Sequence, residues 1–556
     1  MLLIAGGTIY DPANGVDGEV ADLWIEGGRI VAPPTDPAIK PERTIDARGQ
    51  VIMPGGIDMH CHIAGPKVSA ARLMRPEENH GDNLLHRTAI TRGGTLGSVP
   101  STFAAGYKYA GLGYTTAFDA AIPPGGARHA HAEFHDTPCI DKGFYVLAGN
   151  NHYLMKALAT GDRDQARTFL AWLLSATKAY APKLVNPAGV EAWKSGGPRV
   201  IDSIDQTIEP FDVSPRQIIA GVAQAAEELG LPHAMHLHCN NLGIPGNWET
   251  TLASMQALEG RRGHITHIQF HSYGGGGEDE AGLYSCTEPL VDYVNANSNI
   301  TVDVGQVLFG NTTSMTGDGP LGHFLANLSG KKWFSADAEM ESGCGVSPIS
   351  YKNKSLVNAV QWAIGLEWFL MIDDPWRLAL STDSPNGASF LAYPQLIRLL
   401  MDRHYRKELI ESCPDKVRER TGLYELDREY TLGEIATVTR AAPARMLGLT
   451  QKGHLGVGAD ADITVYTPDD DRERMFQLPR TVIKGGVVVI DDGELRGPVL
   501  GGTHHVRPEF EPDRERPIRE WFEDAYSVQW NNYHIAPEEV DDPRETPCAA
   551  SKPNAT

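Results

Sequence analysis

The chain has 556 residues, enough for three or four ordinary domains or for one large barrel with additions. Its 41% hydrophobic residues exclude bulk disorder, and a net charge of -22 would repel a phosphate backbone, which argues against general nucleic-acid binding. No run approaches the roughly eighteen apolar residues of a membrane helix, and the seven cysteines are scattered without a C-x-x-C pair, so a cytoplasmic protein is expected, without an iron–sulfur cluster or zinc ribbon of its own.

In chain order, the first fifty residues read as short β segments broken by turns: Leu2-Leu3-Ile4, Asp22–Ile25 and Arg29–Val31. A matching style returns at Ala461–Tyr466, Thr481–Ile483 and Val487–Ile490. Residues 1–50 and 446–500 are therefore expected to build one β-sandwich from both chain ends. Between them eight apolar runs of strand length recur: Val51–Met53, Tyr114–Phe118, Phe144–Leu147, Lys183–Val185, Ala234–Leu237, Ile265–Ile268, Ile300–Val304 and Arg377–Leu380. Helix-period patterns fill several gaps, as from Pro215 to Leu229 and from Asn358 to Leu370. This alternation predicts an α/β chain with a (β/α)8 TIM-like barrel over 51–445. Gly274–Gly277 and Asn311–His323 read as long loops that wall an active site, because barrel chemistry sits at the C-terminal ends of the strands. Residues 501–556, with Trp521, Tyr526 and Trp530, read as an arm that packs on a neighbour and frays at Ser551–Thr556.

The strongest local signal is Pro54-Gly55-Gly56-Ile57-Asp58-Met59-His60-Cys61-His62. In an extended strand residues i and i+2 point the same way, so His60 and His62 can meet one divalent metal while Cys61 points elsewhere. With this frame, and with Leu455–Asp462 as the return into the sandwich, the chain resembles the amidohydrolase superfamily, whose members open a barrel with His-x-His. That resemblance implies a ligand set on several strands. Lys183 fits the lysine that reacts with CO2 to give a bridging N6-carboxylysine, and a buried lysine can lose its proton as arginine cannot. On the fifth strand His238, rather than His236, sits at the end where a ligand is wanted. On the sixth, His267 and His271 share a face and both stay candidates, the superfamily pattern favouring His267, while His264 reads as structural. Asp383, after the eighth strand, is expected to bind metal and to exchange a proton. The implied cofactors are two divalent ions, zinc foremost. His129, His131 and His135, with Glu133 between them, could form a second metal cluster but read rather as a proline-flanked polar loop, and the same reading covers His80, His86, His504 and His505.

More narrowly, Gly113–Ala121, Lys183–Pro187 and Ile268–Gly274 resemble the alpha chains of formylmethanofuran dehydrogenases and of the formyltransferase/hydrolase complex. The implied activity is hydrolysis of the formamide of N-formylmethanofuran to formate and free amine, or its reverse in the dehydrogenase setting. The implied partners are the other subunits of such a complex and a methanofuran-type coenzyme. The rivals are a cyclic amidase of the dihydroorotase or hydantoinase type and a metal-free scaffold for assembly. Because such coenzymes carry glutamyl residues, a basic track is expected near the ligands, with Lys67, Arg72, Arg75, Lys352 and Lys354 as candidates.

Overall fold

The computed structural model describes residues 1–36, 38–79, 97–276, 282–335 and 345–549. The expectations for His80, His86, Gly277 and Ser551–Thr556 lie outside these residues. Eight parallel strands form a nearly closed barrel: β1 (Gly56–Cys61), β2 (Tyr114–Ile122), β3 (Asp141–Leu147), β4 (Ala181–Val185), β5 (Met235–His238), β6 (Gly263–Ile265), β7 (Ile300–Asp303) and β8 (Leu378–Ala379). Ladders run in that order from β1 to β8. Just beyond β8 a Cys61–Ser384 bridge, with the His62 amide donating to the Ser384 carbonyl at 2.7 Å, brings the ends of the sheet together. The helices that alternate with these strands are specified locally. Pro215–Glu228, for example, starts from a capping box made by Ser214 and Gln217 and buries Ile218, Ile219 and Val222 on one face. Among the described residues, no helix is long and apolar enough to cross a membrane.

Both chain ends join in a nine-stranded sheet around a separate core of Ile4, Ile25, Ile52, Ile463, Ile483 and neighbours, the expected sandwich. Val51–Met53, expected as the first barrel strand, lies in a strand of this sheet instead, Val51–Pro54. It pairs in parallel with Thr8 and Ile9, and antiparallel with Ile463–Tyr466. The handover occurs at a glycine pair. Gly55 donates to Asp462 in the sandwich at 2.8 Å, and Gly56 donates to Gly113 in the barrel at 2.8 Å. A Cβ on Gly55 would lie 2.2 Å from Thr115 Oγ1, and one on Gly56 would lie 2.6 Å from the Tyr114 ring, so only glycine lets the two sheets approach here.

Three further expectations change. Asn311–His323 is not a loop: Gly310–Thr316 pairs antiparallel with Gly345–Tyr351, and a helix follows at Gly319–Ser329, called the roof helix below. The histidines at 129, 131 and 135 lie on a helix, Ala127–His135, where His131 is buried against the Thr177 carbonyl. The C-terminal arm packs on its own chain. Thr503–His505 joins the start of β3, Trp530 stacks on Trp172 at 4.4 Å, and Phe522 and Tyr533 close around them.

Candidate metal centre

Alternation along a strand sends His60 and His62 to the same side at the end of β1, and Lys183, His236 and His238 occupy inward positions of β4 and β5. The chain then leaves β6 abruptly. His267 takes a left-handed φ of +36°, and the turn Ile268–His271 carries His271 back toward it. Asp383, beyond β8, also has a left-handed φ, +49°. Such backbone costs of order 1–3 kcal/mol and persists where surrounding packing imposes it. Below His267 only glycine fits: a Cβ on Gly305 would lie 2.3 Å from His267 Cβ.

All seven expected ligands, His60, His62, Lys183, His238, His267, His271 and Asp383, are buried. Six of them fall into two adjoining clusters, and Lys183 belongs to neither. In the first, Asp383 Oδ1 lies 2.9 Å from His60 Nε2 and 3.1 Å from His62 Nε2. In the second, His238 Nδ1 lies 3.1 Å from His267 Nε2, with the His271 ring 5.4 Å from that of His238. His60, His62, Lys183, His238, His267 and Asp383 line the floor of a cavity of about 380 Å³, whose outer wall is apolar, with Leu242, Phe270, Met315, Leu321 and Phe324. His271 does not line it.

The electrostatics suit cations. Burial pushes Lys183 down to about 8, so near neutral pH its amine is partly unprotonated. Burial also holds His267 and His271 well below the ordinary histidine range, leaving their ring lone pairs free. It opposes protonation of His60 too, but the Asp303 and Asp383 carboxylates prevail and raise His60 to about 9. Asp383 itself is held far down, the neighbouring His60 and His62 outweighing its burial. Among the described residues, Lys183 Nζ, His267 Nδ1 and both ring nitrogens of His271 have no hydrogen-bond partner. Buried polar atoms are seldom left unsatisfied, so this cluster fits metal ions and a carboxylated lysine.

Behind the ligands stand carboxylates that the sequence did not single out. Asp303, at the end of β7, lies 3.0 Å from both His60 Nδ1 and His264 Nε2, and accepts from Thr266, Ser381 and the His267 amide. Asp119, on β2, lies 3.6 Å from His62 Nδ1 and is ion-paired with buried Lys67. His236 extends the chain inward, 3.4 Å from His60 Nδ1 and 3.1 Å from His233. A signal for Asp303 and Asp119 existed: each is an acid inside an apolar strand run, where a buried charge must have a partner. Of the expected basic track, Lys67 is consumed by Asp119, and Arg75 by Glu78 at 2.6 Å and the Thr312 carbonyl at 3.0 Å. The cavity wall instead carries Arg199, whose guanidinium lies 3.5 Å from the centre of the Phe324 ring.

Known proteins share this plan. A family model of amidohydrolases matches residues 43–490. Protein FwdA of Methanocaldococcus jannaschii is 43% identical over 96% of this chain and 97% of its own length. The alpha chain of the formyltransferase/hydrolase complex Fhc of Methylorubrum extorquens is 37% identical over 96% of each chain. The solved structure of that FhcABCD complex, with methylofuran, superposes with a TM-score of 0.91 at 36% identity, over 99% of this chain and 100% of its counterpart. By contrast, the dihydroorotase of Syntrophus aciditrophicus matches over 12% of the chain. With a matching barrel, a matching return into the end sheet and relatives aligned almost end to end, the chain belongs to the amidohydrolase family.

Proposed function

We propose that this chain is the hydrolase component of a cytoplasmic formyltransferase/hydrolase complex and cleaves the formamide of N-formylmethanofuran, or a close analogue, to formate and free amine. The observation that carries the reading is the cluster of buried, unpartnered ligand atoms on the cavity floor of a chain that matches the Fhc alpha chain over 96% of each chain. His60, His62 and Asp383 would hold one divalent ion and His238 and His267 a second, with Lys183 as the bridging N6-carboxylysine. His267 is chosen over His271 because it faces the cavity. When bound, two zinc ions would lower the pKa of a water and polarise the formyl oxygen.

The chain's own groups do the rest. Asp383, kept ionised and 2.9 Å from His60, accepts the proton of the attacking water and returns it to the departing nitrogen as the C–N bond breaks. Asn386 donates to Asp383 Oδ1 at 2.9 Å and fixes the carboxylate's direction. The apolar wall excludes bulk water and receives the carrier. A second reading, in which the same site runs in reverse within a dehydrogenase complex, draws on the resemblance of Gly113–Ala121, Lys183–Pro187 and Ile268–Gly274 to dehydrogenase alpha chains.

The test is formate release from N-formylmethanofuran by the purified chain, alone and with its partner subunits, before and after chelation and zinc return, beside elemental analysis. Metal-dependent release supports the proposal. Active protein without stoichiometric metal would refute the metal centre, and turnover of dihydroorotate in place of the formamide would move the substrate to the cyclic amidases.

A further inference from the structure

The third carboxylate near a ligand differs from Asp303 and Asp119 in its position. Asp318 comes from no barrel strand. It lies between the Gly310–Thr316 strand and the roof helix Gly319–Ser329, and is buried at 2% exposure. Its Oδ2 sits 3.3 Å from His238 Nε2, while the other ring nitrogen, Nδ1, lies 3.1 Å from His267 Nε2. Its Oδ1 accepts from the Leu321 amide at 3.1 Å, which makes Asp318 the N-cap of the roof helix, and from Asn186 Nδ2 at 3.3 Å, just beyond β4. One side chain thus touches the end of β4, a ligand on β5 and the first turn of a helix outside the barrel.

The helix that it caps is poorly anchored for its composition. Only Pro320 and Gly322 are fully buried, although Leu321, Phe324, Leu325 and Leu328 give it an apolar face. Those four side chains line the cavity mouth, and Leu328 is 62% exposed. The opposite side rests on a cluster of Trp193, His323 and Trp333. Packed on the Gly345–Tyr351 strand and on that aromatic cluster, but with its apolar face turned to the cavity and only two residues buried, the helix moves more readily than the barrel beneath it.

We infer that Asp318 is a positioning residue that couples the roof helix to the metal ligand His238. The inference rests on the metal centre proposed above. A carboxylate behind a ligating histidine fixes the ring orientation and raises its basicity. Here the same carboxylate also secures the helix, so filling the mouth and loading the metal each favour one placement of Asp318. By linkage the effect runs both ways: metal should quiet the helix, and a carrier in the mouth should tighten metal binding.

Asp318→Asn separates the two contacts, because asparagine caps helices as well as aspartate does but carries no charge toward the imidazole. Zinc titration of the intact chain, followed by amide hydrogen exchange of residues 321–329 with and without zinc, reads both. In the wild type, zinc should slow exchange across the helix. In Asp318→Asn, zinc affinity should fall about 10–100-fold, and exchange in the helix should stay fast even at saturating zinc. Asp318→Ala should exchange faster than either with no metal present, since it also loses the cap. Wild-type zinc affinity in Asp318→Asn, or the wild-type slowing at saturating zinc, would overturn the coupling and leave the metal centre standing. Failure of the wild type to bind zinc would overturn both.

Discussion

Replacing Lys183 with methionine should remove metal while stabilising the metal-free protein. Lys183 is 2% exposed, its Nζ has no hydrogen-bond partner among the described residues, and burial lowers its pKa from the ordinary 10.5 to about 8. At about 1.4 kcal/mol for each tenfold change, keeping an ammonium there costs on the order of 3 kcal/mol. The sign follows from linkage. The folded state binds the proton less well than the unfolded state, so the penalty is complete below pH 8, shrinks between pH 8 and 10.5, and vanishes above. Methionine has similar volume and no charge, and such swaps in cores cost under about 1.5 kcal/mol. Metal-free Lys183→Met should therefore melt above metal-free wild type at pH 7, with the gap closing toward pH 10.5. It should also take up neither zinc nor labelled bicarbonate. Lys178→Met is the control, because Lys178 donates to the Ser175 carbonyl at 3.0 Å and does not line the cavity, and its metal content should match wild type. Scanning calorimetry across pH with elemental analysis decides the matter. A Lys183→Met protein that melts lower at every pH, or that keeps its metal, would refute the reasoning.

Asp383→Asn should lower kcat by about 100–10,000-fold, the usual range for a lost general base, because an amide cannot accept the water's proton; near-wild-type turnover would remove Asp383 from the chemistry. Asp303→Asn should weaken zinc binding about 10–100-fold by freeing the His60 ring, measured by competition with a chelating dye, and an unchanged affinity would leave Asp303 a purely structural hub. Trp530→Ala should strip the stack on Trp172 and cost about 3–5 kcal/mol locally, so limited proteolysis should cut between 501 and 549 before the barrel is attacked; a resistant arm would show that the stack does not hold it.

The sequence pointed to candidate ligands at the ends of apolar strand runs, where a polar side chain stands out. His60, His62, His238 and Asp383 are of this kind, whereas Lys183 lies within its strand and was singled out by the family resemblance. It did not show which sheet a strand joins. Val51–Met53 has the pattern of a buried barrel strand and is buried, yet its partners, Thr8 and Thr464, lie far off in the chain. Gly310–Thr316 read as a loop because glycine, asparagine, threonine and serine give no apolar alternation, and its pairing with Gly345–Tyr351 supplies what composition could not. Asp318 was invisible for a related reason: its meaning lies in contacts with Asn186 and His238, 132 residues away in the first case.

The shared end sheet constrains how the protein is made. Val51–Pro54 must wait for Ile463–Tyr466, roughly 400 residues later, which at about 5–20 residues per second means tens of seconds of synthesis with an open strand edge. The wait does not end there, since Thr503–His505 still has to reach β3 and Arg544 has to reach Asp141, 3.1 Å away beneath the sandwich. Nascent chains therefore carry a β-rich N-terminal sheet with one open edge until translation is nearly over. Expression of this protein should depend on chaperone capacity during elongation more than on the stability of the finished fold.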